Sequence, residues 1–182
     1  MKKLWWLGLA LLLAAAVAAG CSNDEGKSTD KKDNKDTEQK AASDSKENVQ
    51  SDLIDFYMNL TSTINNADSD LNAYEAALGQ DEPPAKDELM QMQQKAADSA
   101  DAVVSGLGDV KVPDSLKDYK SDLDAAMTDL TDAYKMKAEE LKKDTQANLD
   151  AANEKMASAD EKLASILEKA GLTKASITSD TN

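Results

Sequence analysis

The hydrophobic positions after residue 48 recur at intervals of three and four residues, which is the period of an α-helix. The first run of such positions consists of Val49, Leu53, Phe56, Leu60, Ile64, Ala67, Leu71, Tyr74 and Leu78. Gly79 follows this run, and Pro83 and Pro84 come next. Glycine commonly ends a helix, and proline is tolerated in a first helical turn. We therefore predict one continuous helix of about 30 residues over 49–78.

Two further apolar stripes predict two more helices. The second helix runs from about Pro84 to Gly106, with Leu89 and Met92 on its apolar face. The third begins after Pro113, and no proline or glycine follows until Gly171. Gly171 has the position of a glycine that caps a helix C-terminus.

The length of the third helix leaves two interpretations open. Its apolar register slips between Tyr134 and Leu149, through the polar residues 142–146. A continuous helix would span about 57 residues, or roughly 85 Å, and its second half would extend beyond the other two helices. Alternatively, the helix breaks near Asp144 to Asn148 and folds back as a fourth helix. We favour continuity, because no helix-breaking residue lies in this stretch.

The predicted fold class is all-α, because no segment shows the alternation typical of a strand. We expect an antiparallel three-helix bundle over residues 49–171, or a four-helix bundle if the last helix breaks. In the favoured form the last helix is very long and resembles a coiled coil. Residues 172–182 are expected to form a loose tail.

The segment before the predicted bundle has a different composition. Residues 22–48 contain no valine, isoleucine, leucine, methionine or aromatic residue. A segment without apolar side chains cannot bury enough surface to offset the entropy lost on ordering. We therefore predict that residues 21–48 form a disordered polar tether.

The amino-terminal 20 residues have the arrangement of a secretory signal peptide. Lys2 and Lys3 precede an apolar run over residues 4–18, and small residues lead up to Cys21. The run of about 15 apolar residues is shorter than the roughly 20 that cross a membrane as a helix. We predict that residues 1–20 are cleaved from the mature protein.

The residues Ala18-Ala19-Gly20-Cys21 resemble the lipobox of bacterial lipoproteins, in which small residues precede an invariant cysteine. Ala18 stands where that family favours leucine. The resemblance implies cleavage after Gly20, a diacylglycerol group on the sulfur of Cys21 and often a further acyl chain, such as palmitate, on the new amino terminus. It also implies a location on the extracytoplasmic face of the cell membrane. The lysine-rich tether is similar in composition to those of Gram-positive lipoproteins.

The overall composition excludes several kinds of site. The chain contains no histidine, all 21 of its basic residues are lysine, and Cys21 is its only cysteine. Imidazole catalysis, imidazole metal ligation and bidentate capture of phosphate by arginine are therefore excluded. A net charge of −14 opposes nucleic-acid binding. We expect no catalytic, cofactor-binding or metal-binding residues, and we do not expect an enzyme.

The predicted function depends on the second half of the last helix. If that helix is continuous, no other part of the chain covers its apolar side chains, and a partner helix or a second copy could dock there. We call this set the seam: Leu149, Ala152, Met156, Ala159, Leu163 and Ile166. If the helix folds back, the same residues are core. We favour a membrane-anchored, non-catalytic interaction or spacer module at the cell envelope.

The charge distribution suggests an alternative function. Beyond residue 48 the chain carries 27 acidic side chains and 13 lysines. A surface of this kind attracts cations and repels anionic polymers. The alternative is therefore an acidic binding module for a cationic or small soluble ligand at the envelope.

Overall fold

The computed structural model describes residues 35–143 and 146–181, with side chains from residue 46 onward. The predicted signal peptide, Cys21 and the first part of the predicted tether lie outside the described residues. The helices are α1 (Lys35–Asn65), α2 (Ser69–Leu78), α3 (Lys86–Asp109), α4 (Lys120–Leu141), α5 (Asp150–Lys169) and α6 (Ile177–Asp180), with a 3₁₀ turn at Asp114–Leu116. The described residues contain no strand, and the predicted all-α class is confirmed.

Helix α1 begins well before the predicted start at Val49. Residues 35–48, which we predicted to be disordered, are helical in the structure, so that prediction was wrong for this stretch. The stretch contains alanine, lysine, glutamate and glutamine, which favour helices, and it contains neither proline nor glycine.

The predicted helix over 49–78 consists of two helices, because α1 ends at Asn65 and α2 begins at Ser69. The interruption is short. The backbone N–H groups of Ala67 and Asp68 both donate to the carbonyl of Ile64, at 2.8 and 3.0 Å. The apolar stripe continues across it, and Leu71 and Tyr74 in α2 are as buried as Leu60 in α1.

The favoured prediction of a continuous third helix was wrong. Helix α4 ends at Leu141, α5 begins at Asp150, and α5 packs back against α4. The chain reverses direction without a helix-breaking residue, because the reversal buries the apolar face of α5 against α4. Asn148 also stabilises the new start, since its Oδ1 accepts a hydrogen bond from the backbone N–H of Asp150 at 3.0 Å.

Polar contacts join helices that are far apart in the sequence. Lys169 near the end of α5 lies 2.9 Å from Asp122 near the start of α4. Ser99 in the middle of α3 donates to the carbonyl of Ala67, just before α2. Next to Lys169, at the end of α5, the carbonyl of Ala170 accepts a hydrogen bond from the Nε2 of Gln50 in α1. The buried core therefore draws side chains from all of α1 to α5.

The residues after Gly171 do not form a loose tail, so that prediction was wrong as well. Gly171 caps α5 with φ +83°, in the left-handed region that favours glycine. The chain then forms α6, and the side chain of Ile177 is completely buried. Asp160 on α5 holds this segment in place, because its Oδ1 accepts from the backbone N–H of Ile177 at 2.6 Å.

None of the helices described here is both long enough and apolar enough to cross a membrane.

Candidate functional site

The seam is part of the core and is not an open surface. Its six residues are each at most 8% exposed, from Leu149 at 8% to Ala159 at 0%. The seam was predicted as a docking surface on the condition that α5 projects beyond the other helices. Because α5 folds back onto α4, the condition is not met and the predicted docking surface does not exist.

Cys21, the predicted site of lipid attachment, lies outside the described residues. Its modification therefore stays a prediction from the lipobox resemblance.

A cleft between α3 and the end of α4 is the first candidate site in the described part of the chain. Its volume is about 510 Å³, which lies within the range of roughly 300–1,000 Å³ that is usual for small-molecule sites. We call it the α3–α4 cleft. Its apolar lining consists of Leu89, Met90, Ala97 and Leu141, and its charged lining consists of Lys86, Asp98, Lys142 and Lys143.

The cleft forms because the first two turns of α3 extend in space beyond the end of α4. Gln93 marks that point, since its Nε2 donates to the carbonyls of Leu141 and Lys143, both at 3.0 Å. Helix α3 starts seven residues earlier, at Lys86. At 1.5 Å per residue, about 10 Å of α3 therefore extends beyond the end of α4. Met90 lies on this extension and is 52% exposed.

The charged groups of the α3–α4 cleft lie at its rim. Lys142 pairs with Asp101, with 2.6 Å between Nζ and Oδ2, and both side chains are about half exposed. Lys143 pairs with Glu140, one turn earlier on α4. Asp98 is the one acidic residue among the described residues of the lining, so lysines outnumber acids among them. Over the chain beyond residue 48 the ratio is reversed.

A cluster of polar side chains, all buried except the half-buried Glu75, is the second candidate. We call Asp68, Glu75, Tyr134, Lys137 and Thr181 the polar centre. The Nζ of Lys137, which is almost fully buried, donates to Oε1 of Glu75 at 2.6 Å. The same Nζ lies 6.0 Å from the ring centroid of Tyr134, within reach of a cation–π interaction.

Asp68 is the unusual member of the polar centre. It stands immediately before α2, yet its side chain makes no capping hydrogen bond. It is 2% exposed, and its Oδ2 makes no hydrogen bond within the described residues. Burial raises the pKa of the Asp68 carboxyl, because it penalises the charged form. Burial also raises the pKa of Tyr134, and the charges of Asp68 and Glu75 add to that rise.

The polar centre adjoins a second cleft, of about 430 Å³, between α2, α4, α5 and α6. We call it the acidic cleft, because Glu75, Asp160 and Glu161 line it and Lys137 is the one basic residue among the described residues of its lining. The carboxyl-terminal segment borders it through Thr178 and Thr181. The Nδ2 of Asn72 donates to the carbonyl of Thr181 at 2.8 Å and so fixes that border to α2.

Neither cleft was predicted from the sequence. Met90 lies beside the apolar stripe of its helix, which runs through Leu89 and Met92. The helical period therefore did not mark Met90 as part of a binding site. The pairing of Lys137 with Glu75 joins residues 62 positions apart. Such pairs depend on how the helices pack, which a helical period does not specify.

Metal binding finds no support in the described part of the chain, where no group of three or more acidic or cysteine side chains could hold an ion. No protein-family model matches the chain, and neither the curated proteins nor the solved structures gave a match.

Proposed function

We propose that this chain is a lipid-anchored, non-catalytic protein of the cell envelope, acting as an interaction or spacer module on the extracytoplasmic face of the membrane. The observation that carries this proposal is the sequence of the first 21 residues. A short basic start, an apolar run and the residues Ala18-Ala19-Gly20 precede Cys21, the only cysteine of the chain. Acyl chains on Cys21 would supply the anchor, and two or more chains hold a protein firmly to a bilayer.

We further propose that α1 to α5 form an antiparallel four-helix bundle, with α1 and α2 together counting as one helix. The contacts between early α4 and late α5, and between α1 and the end of α5, support this arrangement. Only 13 residues separate Cys21 from the start of α1 at Lys35. Fully extended they reach at most about 45 Å, so the bundle would stay close to the membrane.

Anchoring is tested by replacing Cys21 with alanine in the natural host and labelling the cells with an alkyne analogue of palmitate. We expect the unaltered chain to carry the label and to fractionate with membranes. The Cys21→Ala chain should lose the label, because it lacks the sulfur that would carry the lipid. Ser22→Ala is the matched control and should behave like the unaltered chain. An unlabelled wild-type chain, or full membrane retention of a processed Cys21→Ala chain, would contradict the proposal.

A second candidate function is the binding of an organic cation, and the acidic cleft is the observation that favours it. Three carboxylates and one lysine line that cleft, and the excess of acid would attract a polyamine. Calorimetric titration with spermidine should give a saturable signal that persists when salt rises from about 20 to about 200 mM, which screens non-specific attraction. Glu161→Gln should weaken the signal, whereas Glu154→Gln, on the same helix but outside the cleft lining, should not. A signal that disappears with salt would exclude this function.

A further inference from the structure

We propose that the α3–α4 cleft binds a single-chain anionic amphiphile, with the acyl chain on its apolar floor and the anionic head at its lysine rim. This inference does not depend on the proposed anchoring or on the acidic cleft. It rests on the combination of an exposed apolar side chain, three lysines at the rim and walls that are held in place by hydrogen bonds.

The apolar floor is the first observation. Ile54, Met58 and Met90 are the large hydrophobic side chains exposed in the described residues. Ile54 and Met58 lie on α1, whereas Met90 lies in the α3–α4 cleft beside Leu89 and Leu141. Methionine has a flexible, polarizable side chain that adapts to apolar ligands of varied shape. An exposed methionine in a concave apolar site is therefore suited to contact with an alkyl chain.

The charge of the rim selects the head group. Lys86, Lys142 and Lys143 line the cleft, and Asp98 is the one acid among the described residues that line it. The domain as a whole is strongly acidic and would repel an anion, whereas these three lysines give the cleft cationic groups that an anion can contact. The ion pair of Lys142 with Asp101 is half exposed. Exposed pairs of this kind are weak in water, so the lysine can exchange its partner for an anionic head group.

The shape of the cleft limits the ligand to one short chain. Gln93 on α3 donates to the carbonyl of Leu141 at the end of α4 and to that of Lys143 just after it. The hydroxyl of Tyr74 donates to the Oε1 of Gln93 at 3.4 Å. The two walls are thus joined at one end of the cleft. A volume of about 510 Å³ suits a small amphiphile. The two long chains of a phospholipid would not fit.

The cleft can be observed directly through methionine methyl groups. The chain has seven methionines, among them Met90 inside the cleft and Met58 on α1 outside it. We suggest labelling all methionine methyl groups of the full-length chain with ¹³C, placing it in nanodiscs of zwitterionic lipid and titrating with octanoate. Octylammonium and octanol are the matched probes, because they share the chain and differ in the charge of the head.

We expect octanoate to shift the Met90 methyl signal saturably and to leave the Met58 signal unchanged. Octylammonium and octanol should bind about tenfold more weakly or worse, because the rim favours a negative head group. The double variant Lys86→Gln/Lys142→Gln should raise the Kd of octanoate about fivefold or more, since it removes two rim charges. The control variant Lys120→Gln/Lys174→Gln changes two exposed lysines elsewhere and should leave the Kd unchanged. Unshifted signals of the buried Met156 report that each variant is folded.

Several outcomes would overturn the proposal. They are an equal shift of Met58 and Met90, equal affinity for octylammonium, and no saturable shift of Met90. Equal loss of affinity in the two double variants would also overturn it. The titration is repeated in nanodiscs that contain an anionic phospholipid. A shift of Met90 caused by that lipid alone would assign the cleft to a membrane head group and would refute the single-chain ligand.

Discussion

At the scale of single residues, Asp129 on α4 joins that helix to three side chains of α5. Its carboxylate accepts hydrogen bonds from Lys162, from Ser158 at 2.8 Å and from Lys155 at 3.1 Å, all on α5. These three bonds, in that order of importance, hold the pKa of Asp129 well below its usual range. A carboxylate with three donors from one neighbouring helix fixes the position of that helix along α4.

We expect Asp129→Asn to lower the free energy of unfolding by about 2 kcal/mol at pH 7, because a charged acceptor of several hydrogen bonds is lost from a nearly buried position. The folded pKa lies below the unfolded one. The stabilisation is therefore present above about pH 4 and is lost as the pH falls towards the folded pKa. Urea unfolding at pH 7 and at pH 3 should show the difference between the two proteins shrinking at the lower pH. Asp124→Asn, in an exposed pair with Lys120, is the control and should change stability by less than about 0.5 kcal/mol. A pH-independent difference would contradict the role given to the charge.

At the scale of elements, the helical period predicted which side chains are buried but not where two of the helices end. The predicted stripe residues Leu53, Leu60 and Leu71 are buried as expected. The return of the chain between Leu141 and Leu149 was not favoured, because neither proline nor glycine marks it. Its cause is packing between α4 and α5, and the slip in register was the only local sign. The two clefts depend even more on how the helices pack.

The carboxyl-terminal segment was missed for a similar reason. Residues 173–182 contain one large apolar residue, Ile177, and a lone apolar side chain in a polar stretch does not predict burial. Polar groups that are distant in the sequence hold the segment in place. The hydroxyl of Tyr57 donates a hydrogen bond to Oδ2 of Asp180 at 2.8 Å, and the Nδ2 of Asn65 donates to the backbone carbonyl of Asp180. These contacts join α6 to α1, more than 100 positions earlier in the chain.

We expect Ile177→Ala to destabilise the protein by about 2–4 kcal/mol, because it removes a fully buried side chain from the core. Ile54→Ala makes the same chemical change at a position that is 44% exposed and should cost less than about 1 kcal/mol. Urea unfolding monitored by circular dichroism measures both. Equal effects of the two substitutions would show that α6 does not pack on the core in solution.

At the scale of the whole molecule, the position of α5 determines whether its apolar side chains belong to the core or are available to a partner. Among the residues that the structure describes, ten of the 29 buried hydrophobic side chains are alanines, and each alanine buries little apolar area. The larger side chains of α5, including Met156, Leu163 and Ile166, therefore make a substantial contribution to the core. A protein that used these residues for a partner would have to open its own core.

Replacing Met156 and Leu163 with lysine distinguishes the two cases. Both side chains are buried, and an unpaired charge at either position should cost more than about 3 kcal/mol, a large part of the 5–15 kcal/mol typical of a domain. We expect Met156→Lys/Leu163→Lys to lose most of its helical circular dichroism signal. Glu154→Lys/Glu161→Lys introduces the same residue at two exposed positions of α5 and should leave the protein folded. A folded Met156→Lys/Leu163→Lys protein that changed only its oligomeric state in sedimentation velocity would instead show that the seam faces a partner. It would then favour the continuous helix over the return of α5 onto α4.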